Sequence, residues 1–170
     1  MSKLDLRTFQ KELSERLAAV RRSGGEAPRL SFTVAGNAYA LPLAEVTEVA
    51  PLGTVRNVPG SQPWFLGLTN VRGSVVGLSH LGALLHGAAV TTSNASRVLV
   101  LGGIYTKLRA AFLVDSVTGL RTISAIAPAA QALTWASDVG TDQNGDQWNL
   151  LQITPVLQST AFLSVTNVLH

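Results

Sequence analysis

The sequence predicts a mainly β fold with short helices, and three observations lead to that prediction. Short runs rich in Val, Leu and Ile recur along residues 30–170, and Gly, Asn and Asp separate them. Long helical patterns do not alternate with these runs, which disfavours a βαβ sheet. The chain has 170 residues, 46% of them hydrophobic and 14% charged, which is enough apolar sequence for a substantial core. A barrel or sandwich is therefore expected.

Residues 1–29 are predicted to form an N-terminal amphipathic helix followed by a linker. The apolar residues of this segment recur every three or four positions and therefore share one helical face. They are Leu6, Phe9, Leu13, Leu17 and Val20. Gly24 supplies a stop, and residues 23–28 have the composition of a linker. Two interpretations stay open: the helix packs on its own domain, or it docks to a partner.

Residues 30–170 are predicted as the main domain. Its strands are expected at 30–35, 38–43, 64–72, 74–81, 97–101, 108–114, 117–122 and 148–153. Gly36-Asn37 and Arg72-Gly73 are the turn signals between the first two pairs. Short helices are expected at 80–86 and 155–162, and little regular structure at 123–145. The strand-rich halves at about 30–86 and 97–170 could be two small barrels.

The charge distribution bears on nucleic-acid binding. Residues 1–29 carry seven basic and four acidic groups, whereas residues 30–170 carry six of each. A nucleic-acid binder is expected to carry its basic footprint on the folded body, because phosphate neutralisation dominates its affinity. A small β-barrel that binds nucleic acid through its basic tail is therefore the weaker hypothesis. A filter-binding assay at low salt tests it.

Catalytic and metal-binding patterns are not found in the sequence. There is no cysteine, no phosphate-binding loop and no dinucleotide fingerprint. The histidines His80, His86 and His170 lack a metal-ligand spacing and are expected to be surface or half-buried residues. Asp138, Asp142 and Asp146 are expected in a solvated hairpin. We therefore predict a binding module and not an enzyme, with no cofactor and no metal.

Targeting signals are not found either. Charged residues interrupt the first 20 positions, so no apolar signal region is present there. No run approaches the roughly 18 apolar residues of a membrane span. A cytoplasmic protein without direct membrane insertion is expected.

A family resemblance rests on several sequence runs. The first is Phe32–Leu43, and the most specific is Gly67-x-x-Asn70-x-Arg72-Gly73 followed by an apolar strand. Residues 97–101 and the Val-Asp-Ser-Val run at 114–117 continue the pattern. With these runs the chain resembles the CheW-like adaptor domain of bacterial chemosensory systems. The Gln62–Gly67 run, the N-terminal helix and the Trp148 to Val165 end resemble the PilI type, which controls type IV pili and twitching motility.

The resemblance implies two small SH3-like β-barrels and a scaffolding function without chemistry. The implied partners are the cytoplasmic tip of a methyl-accepting chemoreceptor and the regulatory domain of a CheA-like histidine kinase, with no nucleic acid. A flagellar, CheW-type chemotaxis adaptor is the alternative branch.

Six residues are implied as the receptor or partner site. Glu48 and Arg72 match the family's acid and base, which pair near a receptor groove. Leu43 and Val46 would line that groove, and Asn70 and Gly73 complete the motif. A purely structural reading stays open, in which the charged pair ties two strands together and Leu43 and Val46 are core residues.

The chain departs from the family pattern after Arg72-Gly73. Gly77 and His80 stand where a Pro and an Asp are common. Because the acid is missing, Ser79 is expected to act as the N-cap of the following helix.

Overall fold

The computed structural model describes Lys11 and residues 27–164. Most of the predicted N-terminal helix and linker therefore lies outside the described residues, as does His170.

Within the described residues, short strands and a few short helices follow one another. The strands are β1 (Pro28–Val34), β2 (Asn37–Pro42), β3 (Val46–Pro51), β4 (Val55–Arg56), β5 (Phe65–Val71), β6 (Ser74–His80), β7 (Arg97–Leu101), β8 (Ala110–Val114), β9 (Ser116–Leu133), β10 (Ala136–Asp142) and β11 (Gln147–Leu150). The α-helices are α1 (Leu81–His86), α2 (Ile153–Gln158) and α3 (Thr160–Leu163), with 3-10 turns at Leu43–Glu45 and Gly103–Leu108. The prediction of a mainly β fold with short helices is confirmed. In this part of the chain, no helix has the length and apolar character needed to cross a membrane.

The strands form two sheets, and each sheet contains strands from both halves of the chain. One is a closed barrel in the order β1-β2-β11-β10-β9, and the other is a six-stranded sheet in the order β3-β7-β8-β6-β5-β4. The two strand-rich halves of the chain therefore do not correspond to the two sheets. Strands β1 and β2 from the first half join the barrel of the last three strands, because β1 pairs with β9 and β2 pairs in parallel with β11.

The largest apolar cluster lies between the barrel and the six-stranded sheet. Phe32 and Tyr39 enter it from the barrel, Leu99 and Phe112 enter it from the sheet, and all four are completely buried. Helices α1 and α2 add further apolar side chains to the same cluster. A separate cluster on the six-stranded sheet includes Val71 and packs with Ala50. The shared cluster therefore fixes one sheet against the other.

The region predicted to lack regular structure is instead a β-ribbon. Strand β9 continues to Leu133 and pairs with β10 from Ala136 to Asp142. Most of the ribbon between Ser124 and Ala132 is exposed on both faces. Alternation of apolar and polar residues reveals a strand only when one face is buried, so this ribbon carries no such signal.

Left-handed residues close the first two hairpins. Ala35 and Gly36 have φ values of 49° and 79°, so the first turn lies one residue before the predicted Gly36-Asn37. Arg72 and Gly73, with φ values of 47° and 84°, form the predicted turn between β5 and β6. Two consecutive positive φ values match the right-handed twist of the strands, as in a type I′ turn.

His80 begins helix α1 and corrects two expectations. Its ring is 3% exposed, so it is neither a surface nor a half-buried residue. Its Nδ1 accepts a hydrogen bond from the backbone N–H of Ala83 at 3.0 Å, and its Nε2 lies 3.1 Å from the carbonyl oxygen of Thr91. His80, not Ser79, is therefore the N-cap. A neutral ring with its proton on Nε2 satisfies both contacts.

Asp142 is a buried acceptor, although the sequence predicts a solvated hairpin. Its Oδ2 accepts a hydrogen bond from the indole N–H of Trp148 at 3.0 Å. Its Oδ1 accepts from the backbone N–H groups of Asn144 and Asp146. The bond from Trp148 is the main reason that the pKa of Asp142 lies below its usual value, and the two backbone donors lower it further.

We expect Asp142→Asn to destabilise the fold in a pH-dependent way. The lowered pKa of the folded state means that the carboxylate stabilises the fold above its unfolded pKa of 3.8, and that this contribution is lost as the pH falls below that value. The difference in urea midpoint between the parent chain and the variant should be largest above about pH 5 and should shrink toward pH 3. Asp146→Asn changes an exposed side chain in the same turn and is the matched control. A difference that does not change with pH would contradict this role.

Candidate partner-binding site

An ion pair between Glu48 and Arg72 bridges two separate parts of the six-stranded sheet. Arg72 Nε lies 2.6 Å from Glu48 Oε1. Glu48 belongs to the edge strand β3, whereas Arg72 follows β5 on the far side of the sheet order. The two can meet only because the sheet curls and brings β3 toward the β5–β6 turn. The groove between them, here called the Glu48–Arg72 groove, has a volume of about 260 Å³.

The two charged side chains differ in exposure. Arg72 exposes 83% of its side chain, whereas Glu48 exposes 20%. On β3, Val46, Glu48 and Ala50 are partly buried and alternate with exposed residues. The carboxylate therefore anchors one edge of the guanidinium, and the other donors of Arg72 face solvent. These free N–H groups can donate hydrogen bonds to a carboxylate or a carbonyl group of a partner.

The backbone of Arg72 is in the left-handed region, which residues other than glycine rarely adopt. This conformation costs on the order of 1 kcal/mol for an ordinary residue. Asn or Gly would fit the same turn position with less strain. The chain instead carries an arginine here, whose long side chain reaches Glu48.

Asn70 and Gly73 support this turn. Asn70 Oδ1 accepts a hydrogen bond from the backbone N–H of Gly73 at 2.8 Å. Gly73 has no atom near the position of an added Cβ, so its positive φ is what requires glycine. Both residues lie beside Arg72, and their contacts within the described chain shape the turn that carries it.

Leu43 and Val46 lie elsewhere. Both are partly buried and pack against the apolar cluster between the barrel and the sheet. Neither lines the Glu48–Arg72 groove, whose walls include Pro51, Thr69 and Val98. Of the six predicted residues, three line the groove, Gly73 lies beside Arg72 in the turn, and Leu43 and Val46 lie outside.

No local pattern points to the groove walls at Pro51, Gly53 and Val98, because they lie on β3, the loop after it and β7. Their approach depends on the curl of the sheet, a long-range property that local patterns do not encode. One close approach does explain a motif glycine. A Cβ on Gly67 would lie 2.0 Å from the carbonyl oxygen of Arg56, so glycine is required where β5 passes that backbone.

A larger cavity of about 550 Å³ opens beside the barrel and contains opposite charges. Burial raises the pKa of Glu45, and the charge of Arg29 partly offsets that rise. Burial likewise lowers the pKa of Arg29, and Glu45 opposes the shift. These side chains lack the nucleophile–base geometry of a catalytic site. Among residues 27–164, His, Asp and Glu side chains form no cluster of three that could hold a metal ion.

A family model matches most of this chain. The model of the CheW-like domain matches residues 29–161. A search of curated proteins finds no match. Among solved structures, the chain is similar to the scaffolding protein TtCheW from Thermoanaerobacter tengcongensis, with a TM-score of 0.67 and 16% sequence identity. That similarity covers 80% of this chain and 95% of the other, and at this identity it supports the fold alone.

We expect the Glu48–Arg72 pair to contribute little to folding stability. A double-mutant cycle with Glu48→Gln and Arg72→Gly should give a coupling energy of about 0–1 kcal/mol, because water and salt screen the pair at its exposed arginine end. Glycine keeps the left-handed turn, so the cycle measures the side chains and not the backbone. Urea unfolding at low and high salt provides the measurement. A coupling of several kcal/mol that does not depend on salt would show that the pair is a structural tie between strands.

Proposed function

The chain belongs to the CheW-like domain family, and from this we propose that it is a non-enzymatic adaptor that couples a methyl-accepting chemoreceptor to a CheA-like histidine kinase. In this role the chain binds the cytoplasmic tip of the receptor and the regulatory domain of the kinase. The signal passes as changes in the free energies of these contacts. The role places the protein in the cytoplasm, where both of those partner regions lie.

The observation that carries the proposal is the exposed arginine on a strained turn. Arg72 presents most of its side chain to solvent, while Glu48 holds one edge of it. A carboxylate or a helix-end carbonyl of the receptor tip can accept hydrogen bonds from the remaining N–H groups of the guanidinium. The Glu48–Arg72 groove beside it has room for one or two side chains of such a tip. Leu43 and Val46 enter this proposal as residues that pack β3 and the turn before it onto the apolar cluster, and not as groove walls.

The proposed cellular pathway is the control of type IV pili and twitching motility. Its support is the similarity of the Gln62–Gly67 run and of the Trp148 to Val165 end to the PilI type. A flagellar chemotaxis adaptor has the same fold and the same kind of partners. Only the output of the cell separates the two branches.

We expect Arg72→Gly to weaken receptor binding without unfolding the protein. Glycine relieves the left-handed strain, so the free energy of unfolding should stay within about 1 kcal/mol of the parent value. The affinity for a receptor cytoplasmic fragment should fall by roughly tenfold or more, as for the loss of a charged interface hot spot. Titration calorimetry with the purified receptor fragment measures this affinity. Arg56→Gly removes an exposed arginine on β4 of the same sheet, which does not line the groove, and serves as the control. Unchanged receptor binding by a folded Arg72→Gly variant would eliminate the site.

We expect the same Arg72→Gly variant, placed in the chromosome, to impair twitching and to leave flagellar swimming normal. Surface-zone expansion measures the first output, and soft-agar migration measures the second. Loss of swimming with normal twitching would replace the pilus branch with the flagellar one. If neither output changed, the adaptor proposal for this residue would fail.

A further inference from the structure

A second groove lies on the six-stranded sheet, and none of its lining residues lines the Glu48–Arg72 groove. It is here called the Trp64 groove, and it has a volume of about 440 Å³. The outer faces of β5 and β6, the segment before β8 and the end of helix α3 form its walls. Trp64 and Phe162 stack at one end of it, with ring centroids 5.7 Å apart. Because the two grooves are separate, both can be occupied at once.

The lining of the Trp64 groove is mostly apolar and unusually exposed. Leu68, Val75 and Leu108 expose 42%, 50% and 57% of their surfaces. These three side chains come from different elements and converge on one groove. Contiguous exposed apolar surface of this kind marks an interaction site more often than an isolated exposed leucine does.

Gly77 opens the floor of the groove. A Cβ at this position would lie 3.3 Å from the ring of Phe65, so the glycine lets that ring lie across the hairpin. The backbone N–H of Gly77 also donates a hydrogen bond to the carbonyl oxygen of Arg109 at 2.9 Å. A proline, common in the family at this position, has no N–H to donate. Gly77, which stands where the family commonly has a proline, therefore helps to form this groove.

The charge at the rim is positive. Arg109 lines the groove, no acidic residue does, and the exposed Lys107 precedes it. Within the described residues, no carboxylate lies within 4.0 Å of the Arg109 guanidinium. An occupant with a carboxylate beside its apolar side chains would match both features.

The strands beneath the groove favour a helix as the occupant. Strands β5, β6 and β8 are interior strands, and each pairs with a neighbour on both sides. An extended segment could not hydrogen-bond to this sheet face, and its own backbone groups would lose water without finding partners. A helix satisfies its backbone internally and presents apolar side chains three and four positions apart.

We propose that the Trp64 groove binds an amphipathic helix of a partner protein that carries acidic residues beside its apolar face. The N-terminal segment of this chain is the less complementary occupant, because residues 1–29 carry seven basic and four acidic groups. A second copy of the chain is also less suited, since residues 30–170 carry six groups of each sign. The proposal does not depend on the chemoreceptor role of the Glu48–Arg72 groove.

Two synthetic peptides test the proposal against the full-length chain. Both are 18-residue amidated helices with the same Leu and Phe stripe, one flanked by Glu and the other by Lys. Nuclear magnetic resonance titration of the labelled chain gives the affinity and the affected residues. The Glu peptide should bind roughly tenfold more tightly than the Lys peptide and should shift signals of Phe65, Val75 and Arg109.

Three variants decide the outcome. Val75→Glu should weaken binding of the Glu peptide by roughly tenfold or more, whereas Val90→Glu, a valine 42% exposed outside the groove, should not. Arg109→Asn keeps a residue that tolerates the left-handed backbone and should remove most of the preference for the Glu peptide.

Other results would overturn the proposal. Equal binding of both peptides, or no binding of either, would contradict it. If Val75→Glu lowered the thermal stability of the chain sharply, a segment of the chain itself would occupy the groove. If the same variant abolished self-association in analytical ultracentrifugation, the occupant would be a second copy.

Discussion

The apolar cluster between the barrel and the six-stranded sheet is the constraint on which the rest of the structure depends. Tyr39 is its largest completely buried side chain, and its hydroxyl group must be satisfied there. That hydroxyl lies 2.8 Å from His86 Nε2 and accepts a hydrogen bond from Trp135 at 3.4 Å. Burial also raises the pKa of Tyr39, although the bond from Trp135 opposes this. One residue thus links the barrel, helix α1 and the β9–β10 turn.

Because that cluster holds the two sheets against each other, the six-stranded sheet tolerates exposed features that are unfavourable in local free energy. The left-handed Arg72 is tolerated because paired strands on either side fix the β5–β6 turn. The same sheet leaves apolar side chains exposed in the Trp64 groove. The proposed adaptor role favours preformed surfaces, since ordering them at the moment of binding would reduce affinity.

The sequence predicted the parts of the fold that local patterns encode. The β5–β6 hairpin follows from alternating apolar residues around Arg72-Gly73, and the pairing of Glu48 with Arg72 followed from the family motif. The interleaved sheets could not be predicted, because the pairing of β1 with β9 joins residues about ninety positions apart in sequence. The β9–β10 ribbon lacks a buried face, so it carries no alternating pattern. The Trp64 groove forms only when Phe162 of α3 packs against Trp64, just before β5. The contact between Glu48 and Arg72 was thus predictable because a motif carried both residues, whereas the groove walls were not.

The adaptor role is tested most directly by calorimetric titration of the full-length chain against the regulatory domains of the CheA-like kinases from its own cell. The role predicts binding to one of them with an affinity in the micromolar range, about −8 kcal/mol. It also predicts that a saturating receptor fragment remains bound, so that all three proteins elute together. If no kinase domain gave heat or co-eluted with the chain, the adaptor role would be contradicted and the fold alone would stand.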